Sequence, residues 1–171
     1  MKKILSIMLL AVMLAAFTTN GNAKITAKKY EKISGKVDSK NIVQYGLGCT
    51  VYYDENLQPC GRVFNIIAQN SNYKELEDVL SLFSWLDAQR AYDELVSIYN
   101  FSKDFKEDGV TVSKEKYQIK NVKMPLLGWY TYIYADGGYH QFKTKDFKKM
   151  IKDLVKYCEK NGIEITTQEI K

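Results

Sequence analysis

Residues 129–142 read WYTYIYADGGYHQF and contain the clearest folding signal of the chain. Two segments rich in aromatic side chains flank an Asp-Gly-Gly sequence at 136–138, which is typical of a tight hairpin turn. The pattern predicts a β-hairpin with a two-residue loop. A loop of the first two turn residues pairs Tyr134 with Tyr139, and a loop of the last two pairs Tyr134 with Gln141.

Both registers give the hairpin the same two faces, because successive side chains of a strand point to opposite sides. One face has four tyrosines and a glutamine: Tyr130, Tyr132, Tyr134, Tyr139 and Gln141. The other face, which we expect in the core, has Trp129, Ile133, His140 and Phe142. Tyrosine combines a large apolar area with a polar tip, which favours a surface that binds a protein or a glycan. The alternative is that a helix covers the tyrosines, or that they are half-buried sheet residues.

A second hairpin is predicted earlier in the chain. Residues 42–53 alternate between apolar and smaller side chains, residues 54–59 supply turn formers, and residues 62–68 are apolar again. The alternation places on one face of the first strand Val43, Tyr45, Leu47, Cys49, Val51 and Tyr53. This pattern favours a half-buried, antiparallel strand.

Residues 72–101 have the spacing of helices. Asn72 with Glu75, and Ser84 with Asp87, have the three-residue spacing of a capping box. The apolar stripes are Tyr73, Leu76, Leu80 and Phe83, and then Ala88, Ala91, Tyr92, Leu95 and Tyr99. One long kinked helix fits this pattern, but we prefer two helices with a break at the second capping pair.

A last helix is predicted from an N-cap at Thr144 to about Lys160, with Asn161-Gly162 as its stop. Its apolar stripe is Phe147, Ile151, Leu154, Val155 and Cys158. Its exposed positions have the lysines Lys145, Lys148, Lys149, Lys152 and Lys156. Such a row is typical of a solvated helix face, and contact with an anionic membrane or glycan is the alternative.

Three further strands are predicted around Ile25–Ile33, Tyr117–Met124 and Ile163–Thr167. The resulting order of elements favours an α+β fold. We expect a mainly antiparallel sheet, built from the two hairpins and the extra strands, with about three helices packed on it.

Residues 1–23 have the pattern of a bacterial secretory signal peptide. Lys2 and Lys3 precede an apolar run of about 14 residues, too short for a spanning helix of roughly 20. Gly21 and Ala23 provide the small residues of a cleavage site before Lys24. We therefore expect a single exported domain over residues 24–171, located in the periplasm or outside the cell, and without a transmembrane span.

The charge of this domain argues against nucleic acid as a partner. Residues 24–171 have 23 basic and 20 acidic side chains, a net charge of +3. Only Arg62 and Arg90 are arginines, although the forked guanidinium is favoured for phosphate and guanine recognition. Neither the charge nor the residue types predict a nucleic-acid interface.

The common catalytic and metal-binding motifs are missing from the sequence, and we predict no cofactor and no metal. The single histidine, His140, needs a nucleophile nearby to act as a base, and no local motif supplies one. Residues 104–115 resemble an EF-hand calcium loop, with Asp104, Asp108 and Gly109 at matching positions. Lys106 stands where the family has an oxygen ligand, so calcium binding is not expected.

The three cysteines leave at least one thiol unpaired within a monomer. A turn near Asn56 places Cys49 opposite residue 62 or 63, past Cys60, which disfavours a bridge between these two. A bridge from Cys49 to Cys158 and the absence of any bridge both remain open.

These observations together favour an exported, non-catalytic binding or interaction module. Its expected site is the tyrosine-rich hairpin face, and its expected partner is a protein or a glycan. The alternative is a small secreted hydrolase that uses Cys/His or carboxylate chemistry.

Export makes a direct prediction for the N-terminus. Protein recovered from cells should begin at Lys24, because the leader is removed during translocation. N-terminal sequencing measures this. Intact Met-Lys-Lys on soluble protein from the cytosol would contradict the export hypothesis.

Overall fold

The structure is a computed structural model that describes residues 24–37, 43–72, 79–114, 117–135 and 137–170. Within these ranges the chain forms two four-stranded antiparallel sheets and two α-helices. The predicted α+β class is therefore confirmed. The number of sheets and helices differs from the expectation, which was one sheet and about three helices.

The first sheet contains four strands in their order along the chain. They are β1 (Ala27–Val37), β2 (Val43–Tyr53), β3 (Pro59–Gln69) and β4 (Val79–Trp85). The second sheet repeats this simple order with β5 (Thr111–Ser113), β6 (Gln118–Met124), β7 (Gly128–Ala135) and β8 (Gly138–Phe142). A helix follows each sheet: α1 (Ala88–Asp104) and α2 (Thr144–Lys160). Within the described residues the order β-β-β-β-α thus occurs twice, although the sequence shows no repeat.

The hairpin β7–β8 has the first of the two registers considered. Ala135 pairs with Gly138, which leaves two residues for the loop, and Tyr134 pairs with Tyr139. Gly137 lies in this loop with a φ of 76°, a backbone conformation that favours glycine.

The hairpin β2–β3 is longer than expected. Its second strand begins at Pro59 and not at residue 62. Cys49 lies opposite Phe64, and not opposite residue 62 or 63, because the pairing slips next to Tyr53, which faces Pro59. This irregularity moves the whole strand pair by one or two positions, which the turn sequence alone does not predict.

The helix predicted before residue 84 is wrong where the structure describes it. Residues 79–85 form β4, which pairs with β3, and residues 73–78 lie outside the described ranges. Leu80 and Phe83 fit a helical spacing, but a shift in the β3–β4 register allows both to be buried from a strand. The second predicted helix is present, and the side chain of Asp87 accepts a hydrogen bond from the Arg90 backbone N–H at 2.7 Å.

The N-cap of the last helix lies one residue earlier in the sequence than predicted. Lys143, not Thr144, is the N-cap, and its N–H donates to the Asp146 carboxylate at 2.8 Å. The helix ends at Lys160 as expected, and Gly162 follows with a φ of 63°.

The predicted last strand, Ile163–Thr167, is wrong, because this segment has no regular structure. The amide side chain of Gln89 bonds to both backbone groups of Thr166, at 2.7 Å and 3.2 Å. A side chain of α1 therefore takes the place of a neighbouring strand, and Ile163 and Ile165 pack against the core beside it.

Each helix packs against the sheet of the other half of the chain. Helix α2 is bonded to the first sheet, since Ser34 donates to Asp153 at 2.7 Å and Tyr157 donates to Glu31 at 2.6 Å. Helix α1 is bonded to the second sheet through Asn121. Residues of both helices and both sheets belong to one continuous hydrophobic core, in which the sheets also contact each other directly, since the ring centroids of Tyr45 and Phe142 are 5.4 Å apart.

Asn121 on β6 is only 1% exposed and has a bonding partner for each end of its amide. Its Nδ2 donates to the Phe101 carbonyl at 3.0 Å and to the Phe105 carbonyl, at the end of α1. Its Oδ1 accepts from the Thr131 hydroxyl at 2.7 Å. Helix ends have carbonyls without intrahelical partners, so Asn121 both caps α1 and fastens it to the inner face of the second sheet.

No helix in the described ranges has the length and apolar character needed to cross a membrane.

Replacing Asn121 should destabilise the fold more than replacing an exposed helix asparagine. Asn121→Leu removes the side-chain donor to the Phe105 carbonyl and the acceptor of the buried Thr131 hydroxyl, while the Phe101 carbonyl keeps the Phe105 N–H. This should cost about 2 kcal/mol in the free energy of unfolding. Urea unfolding followed by circular dichroism measures this. The control is Asn100→Leu, which changes an exposed residue of α1 and should shift stability by less than about 0.5 kcal/mol. Equal effects of the two variants would contradict the role given to Asn121.

Candidate functional site

The five residues singled out on the hairpin lie together on the outer face of the second sheet. We call this set the tyrosine face: Tyr130, Tyr132, Tyr134, Tyr139 and Gln141. None of the five is buried, and Tyr134 is 37% exposed. Their side chains point away from the inner face, where both helices pack.

Three of the tyrosine rings form a contiguous cluster. The ring centroids of Tyr132 and Tyr139 are 5.3 Å apart, those of Tyr134 and Tyr139 are 5.6 Å apart, and those of Tyr132 and Tyr134 are 6.3 Å apart. The planes of the rings lie within 38° of one another. Cross-strand aromatic contacts of this kind stabilise a sheet and hold the rings in place, so the cluster is organised before any ligand binds.

Tyr130 stands beside this cluster and has a cationic neighbour. The Lys143 ammonium lies 5.1 Å from the centre of the Tyr130 ring, within the range of a cation–π interaction. Lys143 also begins helix α2. The tyrosine face therefore ends at the first turn of that helix.

Polar side chains of β6 border the tyrosines on the other side. Gln118 pairs with Tyr134, and Lys120 pairs with Tyr132. Directly paired residues of antiparallel strands lie on the same face of the sheet. Gln141 pairs with Tyr132 from β8. The aromatic rings thus have amide and ammonium groups on both flanks, which can donate hydrogen bonds to a ligand.

The hydroxyls of Tyr132 and Tyr134 stay protonated at neutral pH. Partial burial raises the pKa of Tyr132 above its usual value, and the neighbouring tyrosines, Tyr139 first, raise it further. Burial and Tyr139 raise the pKa of Tyr134 in the same way. The Tyr132 hydroxyl lies 3.7 Å from the Met124 sulfur, to which it donates. The face is therefore uncharged at its centre and able to donate as well as accept.

The opposite face of the hairpin is the core face, as the alternation predicts. Ile133 and Phe142 are fully buried, and His140 is 8% exposed. Trp129 is half-buried, with the Lys106 ammonium 5.7 Å from its ring. The packing of these residues holds the tyrosines outward.

The hydrogen bond and the ring contacts of His140 are those of a structural histidine. Its Nδ1 lies 2.7 Å from the Gln69 carbonyl, and its ring packs edge-on against Phe142 at 4.7 Å and Tyr45 at 6.5 Å. These contacts join β8 to the end of β3. They place the ring in the core, between the two sheets.

All three cysteines are free, so neither bridge considered from the sequence is formed. Cys49 and Cys158 are completely buried, and Cys60 is exposed. Burial raises the pKa of Cys49, and burial together with the nearby Cys49 raises the pKa of Cys158 to about 11. A thiolate is the reactive form of cysteine, so the environment of these two residues opposes nucleophilic activation.

The segment that resembles a calcium loop is held by other contacts. Lys106 donates to the Ser102 carbonyl, and Asp108 accepts from the Lys123 backbone N–H at 3.2 Å. Strand β5 follows, where a calcium loop would lead into a helix. In the part of the chain that the structure describes, no three His, Cys, Asp or Glu side chains are grouped as a metal site would need.

A cleft of about 530 Å³ lies between the two helices and the C-terminal segment, away from the tyrosine face. Its lining residues are Gln89, Val155, Cys158, Glu159, Ile163, Glu164, Ile165, Thr166 and Thr167. None of the tyrosine-face residues contributes to it.

The flanking residues Gln118, Lys120 and Lys143 were not singled out from the sequence. Gln118 and Lys120 lie in a predicted strand, but the sequence does not say that this strand pairs with β7. The alternation of β6 would have placed them opposite the tyrosines once that pairing was known.

No family model matches this sequence, and no curated protein is significantly similar to it.

Proposed function

We propose that the protein is an exported, non-catalytic binding module that holds a carbohydrate chain on the tyrosine face. The observation that carries this proposal is the open cluster of three tyrosine rings on the outer face of the second sheet. Tyrosine rings offer apolar area with a polar edge at a low cost in conformational entropy. These properties suit the apolar face and the hydroxyl groups of a sugar ring.

The dimensions of the face favour a carbohydrate over a protein partner. Tyr130 to Tyr134 covers about 14 Å along the strand, and the three strands β6–β8 cover about 10 Å across it. A stable protein interface buries about 800 Å² on each partner, which is several times this area. A face of this size accommodates two or three sugar rings.

The polar rim supports the same ligand class. Gln118, Lys120 and Gln141 flank the rings on the same side of the sheet. Amide and ammonium groups can bond to the hydroxyls at the edge of a sugar whose face stacks on a tyrosine. The ring hydroxyls add further donors and acceptors.

Export rests on the leader pattern of residues 1–23, which lie outside the described ranges. A binding module in the periplasm or outside the cell meets surface and envelope polysaccharides, which agrees with a carbohydrate ligand. The hydrolase alternative is less favoured, since burial opposes ionisation of both Cys49 and Cys158.

Removing two of the stacked rings should abolish most of the binding. The test begins with a glycan and peptide array, followed by calorimetric titration of the tightest glycan. The double variant Tyr132→Ala/Tyr134→Ala should bind this glycan about 30-fold to 150-fold more weakly, since each aromatic contact contributes roughly 1 to 1.5 kcal/mol. Circular dichroism shows whether the variant is folded.

A matched control is Tyr30→Ala, which removes an exposed tyrosine from β1 in the first sheet. Its affinity for the glycan should stay within about twofold of the starting protein, because a surface substitution away from the site changes little. If the double variant bound as well as the control, the assignment of the site would fail. If peptides but no glycans bound, the tyrosine face would be a protein interface and the carbohydrate proposal would be wrong.

A further inference from the structure

The positive charge of the domain is concentrated on two elements. Strand β1 and helix α2 together have ten lysines and four carboxylates, a net charge of +6. The rest of residues 24–171 has 13 basic and 16 acidic side chains, a net charge of −3. The net charge of +3 for residues 24–171 is therefore the sum of a strongly positive part and a negative part.

These two elements lie side by side and form one surface. Ser34 and Glu31 of β1 are bonded to Asp153 and Tyr157 of α2. The Lys149 ammonium also reaches Ser34 at 3.1 Å. The two elements are therefore neighbours, although they are more than 100 residues apart in sequence. Lys29 shares the face of Glu31 and lies on the α2 side of β1, whereas Lys28 and Lys32 point to the opposite face of the sheet.

Two of the four carboxylates, Asp153 and Glu31, form contacts where the two elements meet. Asp153 accepts from Ser34 and Lys149, and Glu31 accepts from Lys29 and Tyr157. They neutralise Lys29 and Lys149, and Asp153 also attracts Lys156 electrostatically.

The outward lysines form a stripe opposite the buried side of α2. We call Lys145, Lys148, Lys152 and Lys156 the lysine stripe. None of the four forms an ion pair within the described ranges. At about 1.5 Å per residue the stripe is about 16 Å long. Four ammonium groups in a row along one helix, none of them in an ion pair, produce a positive local potential that favours an anionic partner.

We propose that the lysine stripe binds the surface of an anionic phospholipid bilayer, with α2 lying flat on it. A helix that lies on a plane brings all residues of one stripe to the same depth. Lysine is a compact point charge that acts through the field, whereas arginine fits one anion in a fixed geometry, so lysine suits mobile headgroups.

Attachment of this kind is electrostatic and should respond to salt and to lipid charge. The probe is vesicle sedimentation, with vesicles of phosphatidylcholine alone or of equimolar phosphatidylcholine and phosphatidylglycerol. The assay uses the full-length gene product as it is purified from cells, with whatever N-terminus the cells leave on it. It should sediment with the anionic vesicles and not with the neutral ones, and should be released in about 1 M sodium chloride, where the screening length is roughly 3 Å.

The lysine stripe is tested with the triple variant Lys145→Gln/Lys152→Gln/Lys156→Gln. Its affinity for anionic vesicles should fall about 100-fold, roughly a factor of five for each lysine. The control is Lys103→Gln/Lys114→Gln/Lys123→Gln, which removes three exposed lysines elsewhere and changes the net charge equally. This control should lose less than about threefold, since its lysines lie outside the stripe.

Three results would overturn the proposal. They are equal losses in the two triple variants, equal binding to neutral and anionic vesicles, and binding to soluble polyphosphate without binding to anionic vesicles. The double tyrosine variant should bind vesicles normally, because its substitutions leave the lysines in place. The lipid proposal and the carbohydrate proposal can therefore fail independently of each other.

Discussion

The buried amide of Asn121 decides which side of the second sheet faces the core. It bonds to the end of α1 on one side and to Thr131 on the other, with almost no exposure to solvent. A sheet that presented its other face to α1 would bury tyrosine hydroxyls and expose this amide, at a cost in unsatisfied polar groups. The tyrosine face is therefore open because the opposite face of the second sheet, which contains Asn121, packs against α1.

Local sequence signals predicted the parts of the fold that local physics determines. The Asp-Gly turn and the alternation around it predicted the β7–β8 hairpin. The predicted break at residues 84–87 lies just before α1, but Asp87, and not Ser84, is the N-cap. The segment around Leu80 failed because its apolar residues fit two periodicities, and only pairing with β3 selects the strand. The exchange of helices between the two sheets depends on long-range packing, which no local pattern contains.

Local sequence signals likewise predicted which residues form the tyrosine face, but not what surrounds it. The alternation within one hairpin assigned five residues to one face, because the strand period allows no other arrangement. That this face is open depends on where both helices pack, and the flanking Gln118 and Lys120 depend on the partner strand. In the same way, the lysines of α2 were visible in the sequence, whereas their proximity to β1 follows from the contacts of Ser34 and Glu31.

Hydroxyl-radical footprinting of the free protein, read out by mass spectrometry of its peptides, tests the orientation of the second sheet most directly. The account predicts rapid oxidation of Tyr132, Tyr134 and Tyr139. It predicts strong protection of the tyrosines that are at most 4% exposed, namely Tyr45, Tyr92 and Tyr99. Protection of the tyrosine face to the level of Tyr92 would show that this face is covered and would contradict the account.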